Sequence, residues 1–126
     1  MAHTALFTSN TEEWETPPEL FRRLNRIYEF KLDACASATN AKCRKFFTRE
    51  DDALGRSWAP YGRVWLNPPY GRAIAPLMAK ACQEAQNGAL VVALVPARTD
   101  TRWWHNHVAG KADVIFIRGR LHFLDA

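Results

Sequence analysis

Cysteine is scarce. Cys35, Cys43 and Cys82 are the three in 126 residues. An odd count with no Cys-x-x-Cys pair excludes a disulfide framework and a four-cysteine zinc site, so reduced thiols in or near a core are expected. Long apolar runs are missing as well. None approaches the roughly 20 residues that would cross a bilayer, so no membrane association is expected. The opening Met1-Ala2-His3-Thr4-Ala5-Leu6-Phe7 has neither a basic n-region nor a long apolar h-region, so it does not read as a signal peptide, and the cytoplasm is the default compartment. There is no repeat, low-complexity tract or linker. The length allows one compact domain and excludes two. The two histidines of Trp104-His105-Asn106-His107 lie two apart and so on different helix faces, and no third ligand has suitable spacing, so no metal is expected.

What is present is a hydrophobic content of 48%, enough for a core, and 24% charged residues. The net charge of +4 and a pI of about 9.2 suit a polyanionic partner. Arg98, Arg102, Lys111, Arg118 and Arg120 cluster in the last third, interleaved with Trp103, Trp104, Phe116 and Phe123. Five tryptophans are many for this length. Flat rings can stack on bases, although the core is the expected place for most of them.

Residues 1–12 read as a flexible, polar arm before a single domain over residues 13–126. Thr16-Pro17-Pro18-Glu19 is a capping box with proline in the first turn, and Leu20, Phe21, Leu24, Ile27 and Tyr28 form one apolar face, predicting a helix over residues 17–28. Phe30, Leu32 and Ala34 alternate as in a short strand ending near Asp33. Residues 36–62 are ambiguous: 40–47 could form a short helix, Asp51 to Leu54 a turn, and Ala59-Pro60-Tyr61-Gly62 a loop. Val64-Trp65-Leu66 is a short run that fits a strand buried on both faces. Residues 73–86 share a helical face, tolerate Pro76 in the first turn and stop at Asn87-Gly88. Ala89 to Val95 is the best strand. A helix over residues 101–109 and a strand over 113–117 follow, with a turn at Gly119.

Buried strands alternating with helices predict an α/β fold with a mostly parallel sheet. In such sheets the ligand sits outside the carboxyl ends of the strands. Asp33, Asn67 and Arg98 fall at or just beyond predicted strand ends, which sets three polar positions on one rim.

Asn67-Pro68-Pro69-Tyr70 is the segment that points to chemistry. An exocyclic amine or amide nitrogen is a poor nucleophile because its lone pair is delocalised. Two acceptors aimed at its N–H groups favour a pyramidal nitrogen and free that pair. Asn67 Oδ1 can be one acceptor and the Pro68 carbonyl the other. Pro68 and Pro69 fix φ and remove backbone donors, leaving a stiff turn that presents carbonyls. Tyr70 offers a ring for a planar base. No strong general base is needed, because the nitrogen can attack first and lose its proton to water afterwards. The rate gain would come from proximity to a methyl donor and from preorganised dipoles. A plain strand-to-helix turn is the alternative.

Six segments, in order over residues 12–123, resemble the phage-type DNA N-6-adenine-methyltransferase family. They are Glu13-Trp14-Glu15-Thr16-Pro17-Pro18, Leu32-Asp33-Ala34-Cys35-Ala36, Asp51-Asp52-Ala53-Leu54, Trp65-Leu66-Asn67-Pro68-Pro69-Tyr70-Gly71, Val95-Pro96-Ala97-Arg98-Thr99-Asp100-Thr101 and Ile117-Arg118-Gly119-Arg120-Leu121. The resemblance implies a Rossmann-like methyltransferase fold, S-adenosylmethionine as cofactor, double-stranded DNA as partner and adenine N6 as methyl acceptor. It implies that Trp14, Thr16 and Pro17 lie against the methionine part of the cofactor. Asp33, Ala34 and Cys35 would sit in the loop after the first strand, with Asn67 also near the cofactor. Asp51 or Asp52 would reach the adenosine, since a carboxylate accepts from ribose hydroxyls. A turn or cap is the other role open to Asp33, and a solvated turn to Asp51 and Asp52. The usual glycine-rich cofactor loop is replaced by Asp33-Ala34-Cys35-Ala36-Ser37.

An adenine in a duplex must be flipped out of the stack before its amino group is reachable. Tyr70 would stack on it. Arg98, Thr99, Asp100 and Arg102 would line the DNA-facing mouth, and Arg118 and Arg120 would hold phosphates, unless these arginines are simply solvated charges. Family members generally continue with a further strand beyond the position of Ala126. The resemblance therefore predicts either a C-terminally truncated domain lacking an edge strand or an edge finished differently. A phage or prophage origin in a bacterial host is implied. Asn-Pro-Pro-Tyr serves any planar nitrogen, so methylation of a glutamine amide or an RNA base is the alternative chemistry. A catalytically silent module that binds DNA or cofactor is the alternative class.

Overall fold

The computed structural model describes residues 3–8 and 18–118. Their elements run, in chain order, β1 (His3–Thr8), α1 (Pro18–Tyr28), β2 (Leu32–Asp33), β3 (Lys45–Phe46), β4 (Arg63–Leu66), α2 (Ile74–Gln86), β5 (Leu90–Val95), α3 (Arg102–His107) and β6 (Asp113–Ile115). The strands form one sheet in the order β3-β2-β4-β5-β1-β6. Every described pairing is parallel, with Asp33 opposite Trp65, Leu66 opposite Ala93 and Val95 opposite Thr8.

Parallel strands have their amide ladders satisfied on both sides and their faces covered by helices, so their central members read as unbroken apolar runs. β4 and β5 follow that rule, and alternation divides their side chains. Val64, Leu66, Val91, Ala93 and Val95 face α2 and α3, where they meet Leu77, Met78, Ala81, Trp103, Trp104 and Val108. Trp65, Val92 and Leu94 face the other way, onto Phe21 and Leu24 of α1 and onto Phe30. Phe21 meets Trp65 edge-on at 5.4 Å between ring centroids. Helices on both faces of a parallel sheet make three layers, the expected α/β class. Each fully buried Val or Leu contributes roughly 1.5–3 kcal/mol.

Three local expectations are corrected. Residues 3–8, read as part of a flexible arm, form β1 between β5 and β6. A strand paired on both sides satisfies its backbone through its neighbours, so six residues with polar ends suffice. Residues 40–47 are not helical: a turn through Asn40 leads into β3. Ala59–Tyr61 is a short 3-10 turn rather than an irregular loop, anchored from beneath by fully buried Trp58, whose Nε1 donates to the Ala53 carbonyl at 3.0 Å. The remaining elements fall where their periodicity places them. α3 begins at a Thr101 cap whose Oγ1 accepts from Trp104 N at 3.3 Å. Trp58, Trp65, Trp103 and Trp104 are all core residues. The capping residue Thr16, the turn at Gly119 and the rest of the arm lie outside the described residues.

Candidate active site

Because the strands run in parallel, the residues that follow them emerge on one rim. Asp33 ends β2, Asn67 follows β4, Arg98 follows β5 and Arg118 follows β6. Against this rim, between the loop after β2 and the start of α2, lies a cavity of about 740 Å³. Asp33, Ala34, Cys35, Asp52, Asn67, Pro68, Pro69 and Tyr70 all line it. Eight positions singled out from sequence thus converge, although they derive from three separate segments.

The loop after β2 is built around Asp33. Its Oδ1 accepts from Cys35 N at 3.3 Å and its Oδ2 from Lys42 N at 3.0 Å. The carboxyl is buried and closes both ends of a nine-residue excursion, a job that a glycine-rich turn would do with backbone alone. Burial pushes its pKa up to about 7, against the amide bonds from Lys42 and Cys35 that favour the charged form. Asp33 therefore has the turn role that was one of its two readings, and it also forms part of the cavity wall. Cys35 is held as a neutral thiol, its pKa pushed up to about 12 by burial and by the Asp33 charge. Cys43 is likewise pushed up to about 12, and neither has the thiolate character of a nucleophile.

The two neighbouring acids separate in role. Asp51 Oδ2 accepts from Thr48 N at 2.9 Å and from Thr48 Oγ1 at 3.1 Å, closing an exposed turn. These bonds hold its carboxyl below the usual range. Asp52 instead lines the cavity, from a backbone at φ 56°, ψ 86°. Left-handed backbone at a residue with a Cβ costs roughly 1–2 kcal/mol and is tolerated where surrounding structure imposes it.

Asn67-Pro68-Pro69-Tyr70 forms the bridge from β4 to α2. Pro68 is buried, and Asn67 and Pro69 are half-buried at the cavity. Gly71 follows at φ 98°, a conformation that lets the chain turn sharply into the helix and that a larger residue adopts only with strain. The Tyr70 ring is buried, with its hydroxyl donating to the Leu94 carbonyl at 3.4 Å, a long bond. From α2, Ala73, Pro76 and Leu77 complete an apolar side.

Arg98, Thr99 and Arg102 do not line the cavity. They are exposed on the loop after β5 and the first turn of α3, and Arg118 is exposed beyond β6. Trp14, Thr16, Pro17 and Arg120 lie outside the described residues. Sequence reasoning missed Asn40, Lys42, Thr48 and Arg49, all of which line the cavity. They fall in the stretch without periodicity, and the only cue to them was its position after a strand end. Among the described residues no three His, Cys, Asp or Glu side chains are gathered as a metal site would require, and His105 Nε2 instead pairs with the Thr99 carbonyl at 2.8 Å.

Such a cavity, with an apolar side and with carboxyl and amide side chains among its lining residues, suits a small polar ligand bearing hydroxyl and amine donors. Comparison with known proteins agrees. The sequence profile of DNA N-6-adenine-methyltransferase (Dam) matches residues 3–126. The DNA N-6-adenine-methyltransferase of Escherichia phage T1 is 35% identical over 109 residues, covering 86% of this chain and 45% of that relative. The DNA N-6-adenine-methyltransferase of Haemophilus phage HP1 is 28% identical over 121 residues, covering 93% of this chain and 69% of that relative. The chain thus spans less than half the length of the phage T1 relative. No solved structure matches it. A match running across nearly the whole chain, over a rim that carries Asn67-Pro68-Pro69-Tyr70, leads to one conclusion: the chain belongs to the DNA N-6-adenine-methyltransferase family.

Proposed function

We propose that the protein transfers a methyl group from S-adenosylmethionine to the N6 amino group of adenine in double-stranded DNA, through a Rossmann-like methyltransferase fold. The observation that carries this reading is the convergence of Asn67-Pro68-Pro69-Tyr70 with the loop after β2 and with Asp52 on one cavity. The phage relatives' names support the DNA adenine reading over a glutamine or RNA acceptor, and they support action in a bacterial host's cytoplasm by a phage- or prophage-encoded protein.

The residues present fit the cofactor. A volume of about 740 Å³ is in the range that encloses a nucleoside-sized ligand. Asp52 supplies an acceptor for ribose hydroxyls, and Ala53, Leu54 and Leu77 supply apolar walls for a base. The loop held by Asp33, together with Ala34, Cys35 and Asn67, forms the side facing the reacting centre. Trp14, Thr16 and Pro17 are proposed to close over the methionine portion. When bound, S-adenosylmethionine supplies an electrophilic methyl on a sulfonium.

Asn67 Oδ1 and the Pro68 carbonyl accept the two N6 hydrogens of a flipped adenine. That draws the nitrogen toward a pyramidal geometry and orients its lone pair. Pro69 keeps the turn stiff, so the acceptors need no reorganisation as charge develops. The Asn67 amide is too weak a base to keep a proton, so the proton lost from nitrogen passes to water. Tyr70 provides a wall for the base. Its hydroxyl bond to Leu94 fixes the ring, and only its small exposed part is available for stacking. Arg98, Thr99, Arg102, Arg118 and Arg120 are proposed to meet DNA around the rim, where phosphate contacts would make affinity fall steeply with salt.

The test is tritiated methyl transfer to unmethylated duplex DNA followed by nucleoside analysis. Label in N6-methyladenine is expected, lost in Asn67→Ala while cofactor binding persists. Tyr70→Ala should lower turnover by roughly 1–3 kcal/mol of base stacking. Normal methylation by Asn67→Ala would overturn the assignment.

A further inference from the structure

Glu84 is the polar side chain that the chemistry above leaves unused. It lies on α2, 4% exposed, two turns beyond Leu77 and on the same helical face. Its Oε1 accepts from Trp58 N at 2.6 Å and from Ala59 N at 2.8 Å, and its Oε2 pairs with Lys80 Nζ at 3.2 Å. Trp58, fully buried, passes the connection on through Nε1 to the Ala53 carbonyl at 3.0 Å. Ala53 and Asp52 line the cavity. The same helix that contributes Pro76 and Leu77 to the cavity therefore grips, through its far end, the segment that precedes β4 and is tied to Ala53.

Asp52 needs such a grip. Its backbone is left-handed, and no side-chain bond caps the short 3-10 turn Ala53–Gly55 that it opens. Conformations of this kind persist only where the surroundings impose them. The Glu84–Trp58–Ala53 connection begins one residue beyond Asp52 and fixes the turn that follows it.

Resting on the reading of this cavity as the cofactor site, we infer that Glu84 is a positioning residue for the cofactor: acting through Trp58 and Ala53, it sets Asp52 and the wall that holds the adenosine half. The side with Asn67 and Tyr70 is positioned by β4 and by the Leu94 carbonyl.

The test measures S-adenosylhomocysteine binding by calorimetry, well below the melting temperature, on the full chain and on Glu84→Ala, Glu84→Gln, Trp58→Phe and Val108→Ala. Hydrogen exchange of the Trp58 and Ala59 amides is read in parallel. Val108 is fully buried just after α3, contributes no side-chain hydrogen bond to this connection, and serves as a destabilising control. Glu84→Ala should weaken binding about tenfold or more and speed exchange at both amides. Glu84→Gln, which keeps one acceptor for those amides, should restore most of the affinity. Trp58→Phe should show a smaller loss of the same kind and reports even if Glu84→Ala fails to fold. In turnover, Glu84→Ala or Trp58→Phe should raise KM for S-adenosylmethionine with kcat nearly unchanged. Unaltered affinity in the folded variants, or an equal loss in Val108→Ala, would overturn the inference and leave the cofactor site standing. If the unmodified protein binds no S-adenosylhomocysteine or S-adenosylmethionine, the site reading fails and this inference falls with it.

Discussion

Two regions of the molecule are held in the same way and respond oppositely to charge. The loop after β2 hangs on the Asp33 carboxyl, which accepts from two backbone amides. The segment before β4 hangs on the Glu84 carboxyl, which also accepts from two. Both groups are buried, yet Asp33 is pushed up to about 7 while Glu84 is held below the usual carboxylate range. Burial is the leading influence on each and opposes ionisation of each. What differs is how densely protein encloses each carboxyl and how well each is compensated. Glu84 has short bonds and the Lys80 ammonium at 3.2 Å. Asp33 has longer bonds and only a weaker attraction from Lys42. Short amide bonds first, and a counter-charge in contact second, keep a buried carboxylate charged. The structural clamp is thus ionised at neutral pH, and the cavity loop carries a proton that neutral pH can remove.

The largest effect that tests this contrast is truncation of the clamp. Glu84→Ala leaves two buried amides and Lys80 without their acceptor, and should cost about 3–5 kcal/mol in denaturant unfolding. A loss below about 1 kcal/mol would mean that water takes over the clamp. Asp33 tests the other half. Its folded pKa lies above the unfolded 3.8, so the stabilisation tied to its proton is complete below about pH 4 and is lost as pH rises through about 7. A shift of roughly three units bounds that change at about 4 kcal/mol. Unfolding free energies from pH 4 to 8 should therefore decline in the unmodified protein relative to Asp33→Asn, which cannot ionise. Parallel curves would remove Asp33 from the account.

The same contrast explains what could be read from sequence. β4 and β5 were legible because burial on both faces leaves an unbroken apolar run. Asp33 and Asn67 were legible because strand ends mark a rim, and Asn67-Pro68-Pro69-Tyr70 because its residue types have a joint chemical reason. β1 was missed: its six residues earn their place by pairing with β5 and β6, which nothing local announces. β3, only Lys45–Phe46, is too short to have a period. Glu84 was illegible for another reason. With Lys80 four residues before it, it reads as an ordinary surface pair, and its other partners are backbone amides, which carry no residue signature. The cavity residues from Asn40 to Arg49 were hidden because a loop pinned by one carboxylate needs no pattern of its own.

Glu84 should also show its charge in acid. Its folded pKa is depressed, so its contribution is present above the unfolded value of 4.5 and is lost as pH falls through the folded one. Glu84→Gln should remove that acid limb while leaving the decline above pH 4 that belongs to Asp33. Retention of the acid limb in Glu84→Gln would assign it to other carboxylates.

The smallest effect comes from a third carboxylate of the same design. Asp51 accepts two donors from Thr48, as Asp33 and Glu84 accept two each, but it does so at the surface with Arg56 only 3.9 Å away. Its pKa is lowered chiefly by the Thr48 bonds, so its contribution too is lost as pH falls, with the sign of Glu84 and not of Asp33. Without burial there is no buried donor to strand, because water replaces the carboxylate as soon as it leaves. Asp51→Ala should therefore lower the melting temperature far less than Glu84→Ala. If Asp51→Ala instead proved as damaging as Glu84→Ala, hydrogen-bond count would outweigh burial, and the contrast between the two buried carboxylates would need another cause.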